Sequence, residues 1–350
     1  MPNSPATQAR NLERRIQQLA EERGTTPARL RRLVGFAVLC ETLAEAAAQA
    51  VIPLFFVKGG VAIELRLGLA ARATRDLDVG LCVEPKQLLP EFDRALIVGF
   101  GDFTLRRRGE ARALDNGAHS LEVGLQYFGR PWATVDVDLA SARMDSQTDT
   151  VLPIALQDLG LTRPRPVPCL ALTEQVAQKV HALTEPMPRG RPNARARDVL
   201  DVLLLDARLR LDPVAVSDAC ARIFTERNVH SWPIVRFSFP LEWTPTLTEL
   251  SRQAAYDTTD IAVIETRFNT FLARLQGVPV MSGYDYQFVS LQPSTAVGGG
   301  LASPITTSGM DYQQFAELAT IGWRVRAMSA NPRYPDQLLV LLEKDIQETG

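Results

Sequence analysis

Apolar positions at Leu12, Ile16 and Leu19 recur at helical spacing within residues 7–22, which predicts a helix ended by Gly24. Thr26 before Pro27 reads as an N-cap followed by proline at the first helical position, so a second helix should run from about Pro27 to Ala50. The pattern then changes. IPLFFVKGG (52–60) is a short apolar run closed by two glycines, the mark of a buried strand entering a tight turn. VAIELRLGL predicts a short helix, Ala71–Arg75 an arginine-rich turn, and DLDVGLCV a second short strand. Residues 86–99 read as helix, 103–110 and 120–128 as strands, and ATVDVDLA (133–140) alternates as another strand.

Proline at every second position of LTRPRPVP (161–168) predicts an extended linker and a domain boundary. Beyond it, TEQVAQKVHALT, RARDVLDVLLLDARL, DPVAVSDACARIF and a run near 259–276 are helical in pattern. Residues 292–309 are poor in charge and rich in Gly, Ser, Thr and Pro, and read as a linker or loop. The segments flanking them predict strand, then helix, then two strands. The expected organisation is α+β: a mixed-sheet domain over 1–160, a helical domain over 161–280, and a small α/β domain over 281–350.

Composition narrows the function classes. With 38 Lys+Arg against 40 Asp+Glu the chain has a net charge of −2, so it is no generally basic nucleic-acid binder, although local basic faces remain. The four cysteines (Cys40, Cys82, Cys169, Cys220) and three histidines (His119, His181, His230) are scattered, which argues against zinc and for reduced thiols. The N-terminus lacks an apolar signal region, and the most apolar stretch, Leu33–Val57, is interrupted by Glu41, Glu45, Gln49 and Pro53. A cytoplasmic protein without a membrane span is expected.

The candidate chemistry lies between Lys58 and Asp78. Side chains two apart on a strand point the same way, so Asp76 and Asp78 present two carboxylates on one face. Adjacent like charges call for a cation between them, and a hard ion such as Mg²⁺ is held by one or two carboxylates together with substrate phosphates. The Gly59-Gly60 turn opens a helix whose free N–H groups and dipole suit a phosphate, with Lys58 and Arg75 adding charge. Asp136 and Asp138 form a second pair, from which a third carboxylate would complete a two-metal clamp. Taken singly, a diglycine turn and a D-x-D strand are common; their joint order favours a nucleotidyltransferase.

Arg72-Ala73-Thr74-Arg75-Asp76-Leu77-Asp78, following the Gly-Gly turn and short helix, resembles the signature of the AbiEii/AbiGii toxin family within the nucleotidyltransferase superfamily. Lys179 in TEQVAQKVHAL and the R-D-x-x-D run Arg197–Asp201 look like that family's downstream lysine and acid helices. The likeness covers roughly residues 8–275. It implies a polymerase-beta-like fold, an NTP substrate with Mg²⁺ or Mn²⁺, transfer of NMP to the 3′ end of tRNA, and a cognate antitoxin, in a toxin–antitoxin or phage-defence setting. It further implies Asp76 and Asp78 as metal ligands, Asp136 or Asp138 as the third, and Thr74 with Lys58, Gly59, Gly60 and Arg75 at the nucleotide. Lys179 would contact the triphosphate, and Asp198 would orient it or act as a base. Between 163 and 197 six Arg and Lys179 face two Glu, so Arg189, Arg191 and Arg195 are the candidate RNA contacts; the seven Arg and three Glu of residues 1–35 are a weaker candidate or a solvated face. The rival readings are a small-molecule or protein acceptor, or a binding module without turnover. Residues 281–350 fall outside the usual toxin and resemble a small bacterial domain of unknown function.

Overall fold

The computed structural model describes residues 4–115, 117–152, 159, 161, 165–187 and 193–277, together with the backbone of four strands beyond Tyr284. The chain divides into two compact units. One comprises residues 1–183, 195–211 and 246–257; the other comprises 184–194, 212–245 and 258–350.

The first unit opens with two helices whose starts are fixed by side-chain caps. Ser4 accepts from the Thr7 N–H at the head of α1 (Pro5–Glu22), and Thr26 accepts from the Arg29 N–H at the head of α2 (Pro27–Ala48). α2 is buried along nearly its whole length from Leu30 to Ala46, as its largely apolar sequence requires. Next come β1 (Phe55–Lys58), α3 (Gly59–Leu67), β2 (Asp76–Leu81), α4 (Leu88–Val98), β3 (Phe103–Ala113), β4 (His119–Tyr127) and β5 (Arg130–Ser141).

The sheet is seven-stranded, ordered β3-β4-β5-β2-β1-β7-β6, with β6 at Thr148–Val151 and β7 at Val167–Leu170. It is mixed: β2 runs parallel to β5 and antiparallel to β1, while β1 runs parallel to β7. β7 takes up the end of the proline-rich 161–168 segment, whose extended backbone suits a strand. β6, absent from the periodicity reading, is a short and mostly polar edge strand. Along β2, β4 and β5 alternate residues (Leu77, Val79; Leu121, Val123, Leu125; Val135, Val137, Leu139) are buried in one core with α1, α2 and α4, so their polar neighbours lie on the opposite face. α5 (Leu172–Thr184) and α6 (Ala196–Leu209) complete the part of this unit that bears on the site.

In the second unit, α7 (Pro213–Arg227) is capped by Asp212 and α9 (Ile261–Leu275) by Asp260; α8 (Thr244–Gln253), between them in sequence, belongs from Thr246 onward to the first unit. Phe237, Phe239, Trp243 and Phe268 pack ring on ring. The strands Tyr284–Gln292 (β8), Thr306–Thr307 (β9), Arg324–Ala330 (β10) and Leu338–Asp345 (β11) form a separate sheet, ordered β10-β11-β8-β9. The helix expected within 310–323 lies outside the described residues.

Candidate active site

β1 ends at Lys58 and the chain turns directly into α3. Gly59 has φ +64°, and a Cβ there would sit 1.8 Å from Asp78 Oδ2. Glycine is thus required twice, by the left-handed backbone and by the carboxylate that fills the space. A Cβ on Gly60 would sit 2.5 Å from Thr74 Oγ1. The turn and the Arg72–Asp78 segment are therefore a single packed construction. Gln175 of α5 braces it, donating Nε2 to the Gly59 carbonyl at 2.6 Å while accepting from Arg66 at 3.0 Å.

Strand register collects the acids. Asp76 lies opposite Asp136 and Asp78 opposite Asp138 on β5; Lys58 lies opposite Asp78 on β1, and Glu122 opposite Asp136 on β4. Registered neighbours share a face, so four aspartates form one acidic ridge on the polar face of the sheet. Burial pushes the Asp78 carboxyl up to about 6; Lys58 pulls it down, Asp76 and Asp138 push it further up, and Lys179 pulls it down from α5. Asp136 is raised by burial and then by Glu122, Asp76 and Asp138. Thr74 is buried and its hydroxyl lies 3.4 Å from Asp76 Oδ1. Arg75 is exposed beside it.

A buried ion network backs this ridge. Lys179 Nζ donates to Asp198 Oδ1 at 2.5 Å and to Asp201 Oδ2 at 2.8 Å, and Arg72 Nη2 donates to Asp201 Oδ2 at 2.8 Å. The i,i+3 spacing puts both acids on one face of α6. Burial works against the Lys179 ammonium, but Asp201 and Asp198 outweigh it and hold its pKa above the ordinary lysine value. Burial likewise opposes the Asp201 carboxylate, and Lys179 and Arg72 more than compensate, holding its pKa low.

Three residues of this site escaped the sequence reading as site members. Arg72 was visible only as the first letter of its motif. Gln175 gave no signal. Glu64 of α3 could have been noticed as the single acid in VAIELRL: it is 3% exposed, lies 4.0 Å from Arg29, and is pushed by burial up to about 7. Arg195 is exposed, with Nη1 3.8 Å from Asp198 Oδ2. Arg189 and Arg191 lie outside the described residues.

Among the described residues no three His, Cys, Asp or Glu side chains close into a metal-ligand cluster. The donor set nonetheless fits a hard divalent cation. It consists of oxygen donors in registered pairs, where burial first and then mutual repulsion raise the pKa of Asp78 and Asp136.

A helix-opening glycine turn packed against a paired-aspartate strand, with a second aspartate strand in register, is the arrangement expected of a nucleotidyltransferase. The chain belongs to the AbiEii nucleotidyl transferase toxin family of type IV toxin–antitoxin systems, whose model matches residues 41–282. Among solved structures, the nucleotidyltransferase toxin MenT4 of Mycobacterium tuberculosis H37Rv is 18% identical, with a TM-score of 0.44 over 71% of this chain and 85% of that one. The antibiotic-resistance factor ANT(2″)-Ia is 17% identical, with a TM-score of 0.33 over 55% of this chain and 92% of that one. A nucleotidyltransferase-like protein of Paracoccidioides brasiliensis is 15% identical, with a TM-score of 0.35 over 55% and 88%. Comparison with curated proteins gives no match. Among the described residues no helix is long and apolar enough to cross a membrane.

Proposed function

We propose that this toxin transfers NMP from an NTP to the 3′-hydroxyl of tRNA, acting in the cytoplasm and held in check by an antitoxin. The observation that supports transfer most strongly is the packing of Gly59 onto Asp78, which fixes a phosphate-binding turn against the acids that would flank the α-phosphate. The 3′-hydroxyl gives up its proton to solvent as its oxygen forms a bond to the α-phosphorus, the bond from that phosphorus to the bridging oxygen breaks, and pyrophosphate leaves. Asp76, Asp78 and one of Asp136 or Asp138 would hold Mg²⁺ or Mn²⁺, which when bound lowers the pKa of the attacking hydroxyl and offsets triphosphate charge.

The chain's own residues supply positioning and charge. The Gly59-Gly60 turn offers N–H groups at the start of α3, with Lys58 beside it. Thr74 orients Asp76. Asp198 and Asp201 hold Lys179 where its ammonium acts on Asp78 and can meet the triphosphate, so we read Asp198 as a positioning residue. The net positive 163–197 stretch, Arg195 included, supports an RNA acceptor over a small molecule.

The test is incubation with each labelled NTP, Mg²⁺ or Mn²⁺, total tRNA and cell extract. Label is expected on tRNA and absent with Asp76→Ala. Label on protein alone, or on a small molecule, would overturn the tRNA reading, and no label on anything would favour a module without turnover.

A further inference from the structure

The polar face of the sheet continues past the acids onto β4 and β3. By register Arg108 lies opposite Glu122, Arg106 opposite Gly124, and Gly124 opposite Thr134. These residues share the face of Asp136, and Thr134 stands two positions before it, about 6.6 Å along the strand. Here the surface dips into a cleft of about 250 Å³, lined by Arg106, Arg108, Gly124, Gln126, Trp132 and Thr134 among others.

Gly124 shapes the cleft. A Cβ at that position would lie 2.8 Å from Arg108 Cδ, so the missing side chain is the slot in which the arginine stem rests. Arg108 thereby crosses β4, and its Nη1 donates to Thr134 Oγ1 on β5 at 3.0 Å. Among the described residues neither Arg106 nor Arg108 is ion-paired within 4.0 Å. Their neighbour Arg107 differs: it pairs with Asp93 of α4 at 2.7 Å.

Sheet order gives this cleft a direction. Across β1-β2-β5-β4-β3, the diglycine turn flanks the acids on one side and the arginine cleft flanks them on the other. In phosphoryl-group chemistry the entering and leaving oxygens stand roughly in line on opposite sides of phosphorus. With the leaving pyrophosphate at the turn, the acceptor arrives from the β4–β3 flank. Two guanidinium groups outside any ion pair and a hydroxyl suit successive phosphodiesters. We propose that the Arg106–Arg108–Thr134 cleft binds the phosphodiester backbone of the RNA acceptor strand and leads its 3′ end to the acids. This inference rests on the nucleotidyltransferase reading above.

The experiment measures binding of fluorescently labelled total tRNA by anisotropy over a range of salt concentrations, alongside binding of a non-hydrolysable NTP analogue with Mg²⁺. Arg106→Gln/Arg108→Gln should weaken tRNA binding about tenfold or more and flatten the salt slope by about two counterions. Affinity for the NTP analogue and the melting temperature should stay as in the wild type. Arg106→Lys/Arg108→Lys should recover most of the salt slope. Gly124→Val, which fills the slot, should weaken tRNA binding in the same direction. Unchanged tRNA affinity in the Gln variant, an equal loss of NTP affinity, or no tRNA binding by the wild type would each overturn the proposal. Wild-type protein that binds tRNA through these arginines yet transfers no nucleotide would leave the cleft assigned and defeat the transfer reading instead.

Discussion

Two clusters of aspartate sit side by side in the first unit and meet opposite electrostatic fates. Asp198 and Asp201 are 8% and 1% exposed and are matched by Lys179 and Arg72, two acids to two bases. Asp76, Asp78, Asp136 and Asp138 lie on the polar face and outnumber their cations, with Lys58 as the registered basic neighbour. The first cluster is complete within the chain. The second is left acidic, the state that the proposed metal-binding role calls for. Carboxylate count alone does not separate the two clusters; local charge balance does.

Removing a member from each cluster is the sharpest way to break that contrast. Asp201→Ala leaves Lys179 and Arg72 buried without one shared partner, and chemical denaturation should show a loss of about 3–5 kcal/mol. Asp78→Asn relieves repulsion, so the same measurement should show equal or greater stability while transfer falls by about a thousandfold or more in the labelled-NTP assay. If both variants lose stability alike, the two clusters are not different in kind.

Gly59→Ala probes the junction between turn and ridge. The added methyl overlaps the Asp78 carboxylate and forces an alanine to φ +64°. The expected cost is about 1–3 kcal/mol in stability, with transfer reduced about a hundredfold through displacement of the acid.

The smallest effect concerns Glu64, which belongs to neither cluster. Its pKa is raised from 4.5 to about 7, so the folded state binds its proton more tightly than the unfolded chain does. That contribution to stability is full below about pH 4.5 and is lost as pH rises through about 7. Glu64→Gln should therefore flatten the fall in melting temperature over this window; an unchanged pH profile would show that Glu64 does not titrate there.

Much of the sheet-bearing unit was legible in the sequence. The diglycine turn, the D-x-D strand and the alternating ATVDVDLA strand could be placed because each carries a local period. What periodicity could not supply was pairing. That Asp76 faces Asp136 depends on a parallel partner some sixty residues away, which no window reads. β6 was missed because a short edge strand of Thr-Asp-Thr-Val buries almost nothing. Gln175 and Glu64 act through buried tertiary contacts and leave no spacing signal. Arg108 looked like one more surface arginine until Gly124, on the adjacent strand, was seen to make room for it.

The placement of α6 bears on how the molecule can be dissected. All four ridge aspartates precede residue 139, yet Asp198 and Asp201 belong to the same compact unit as the sheet. A fragment cut between Lys179 and Ala196 would keep every residue of the D-x-D pairs and still strand an ammonium and a guanidinium in the interior without their counter-ions. The smallest excisable enzyme is therefore set by an electrostatic debt incurred at Arg72, and it extends well past the last residue expected to touch a metal.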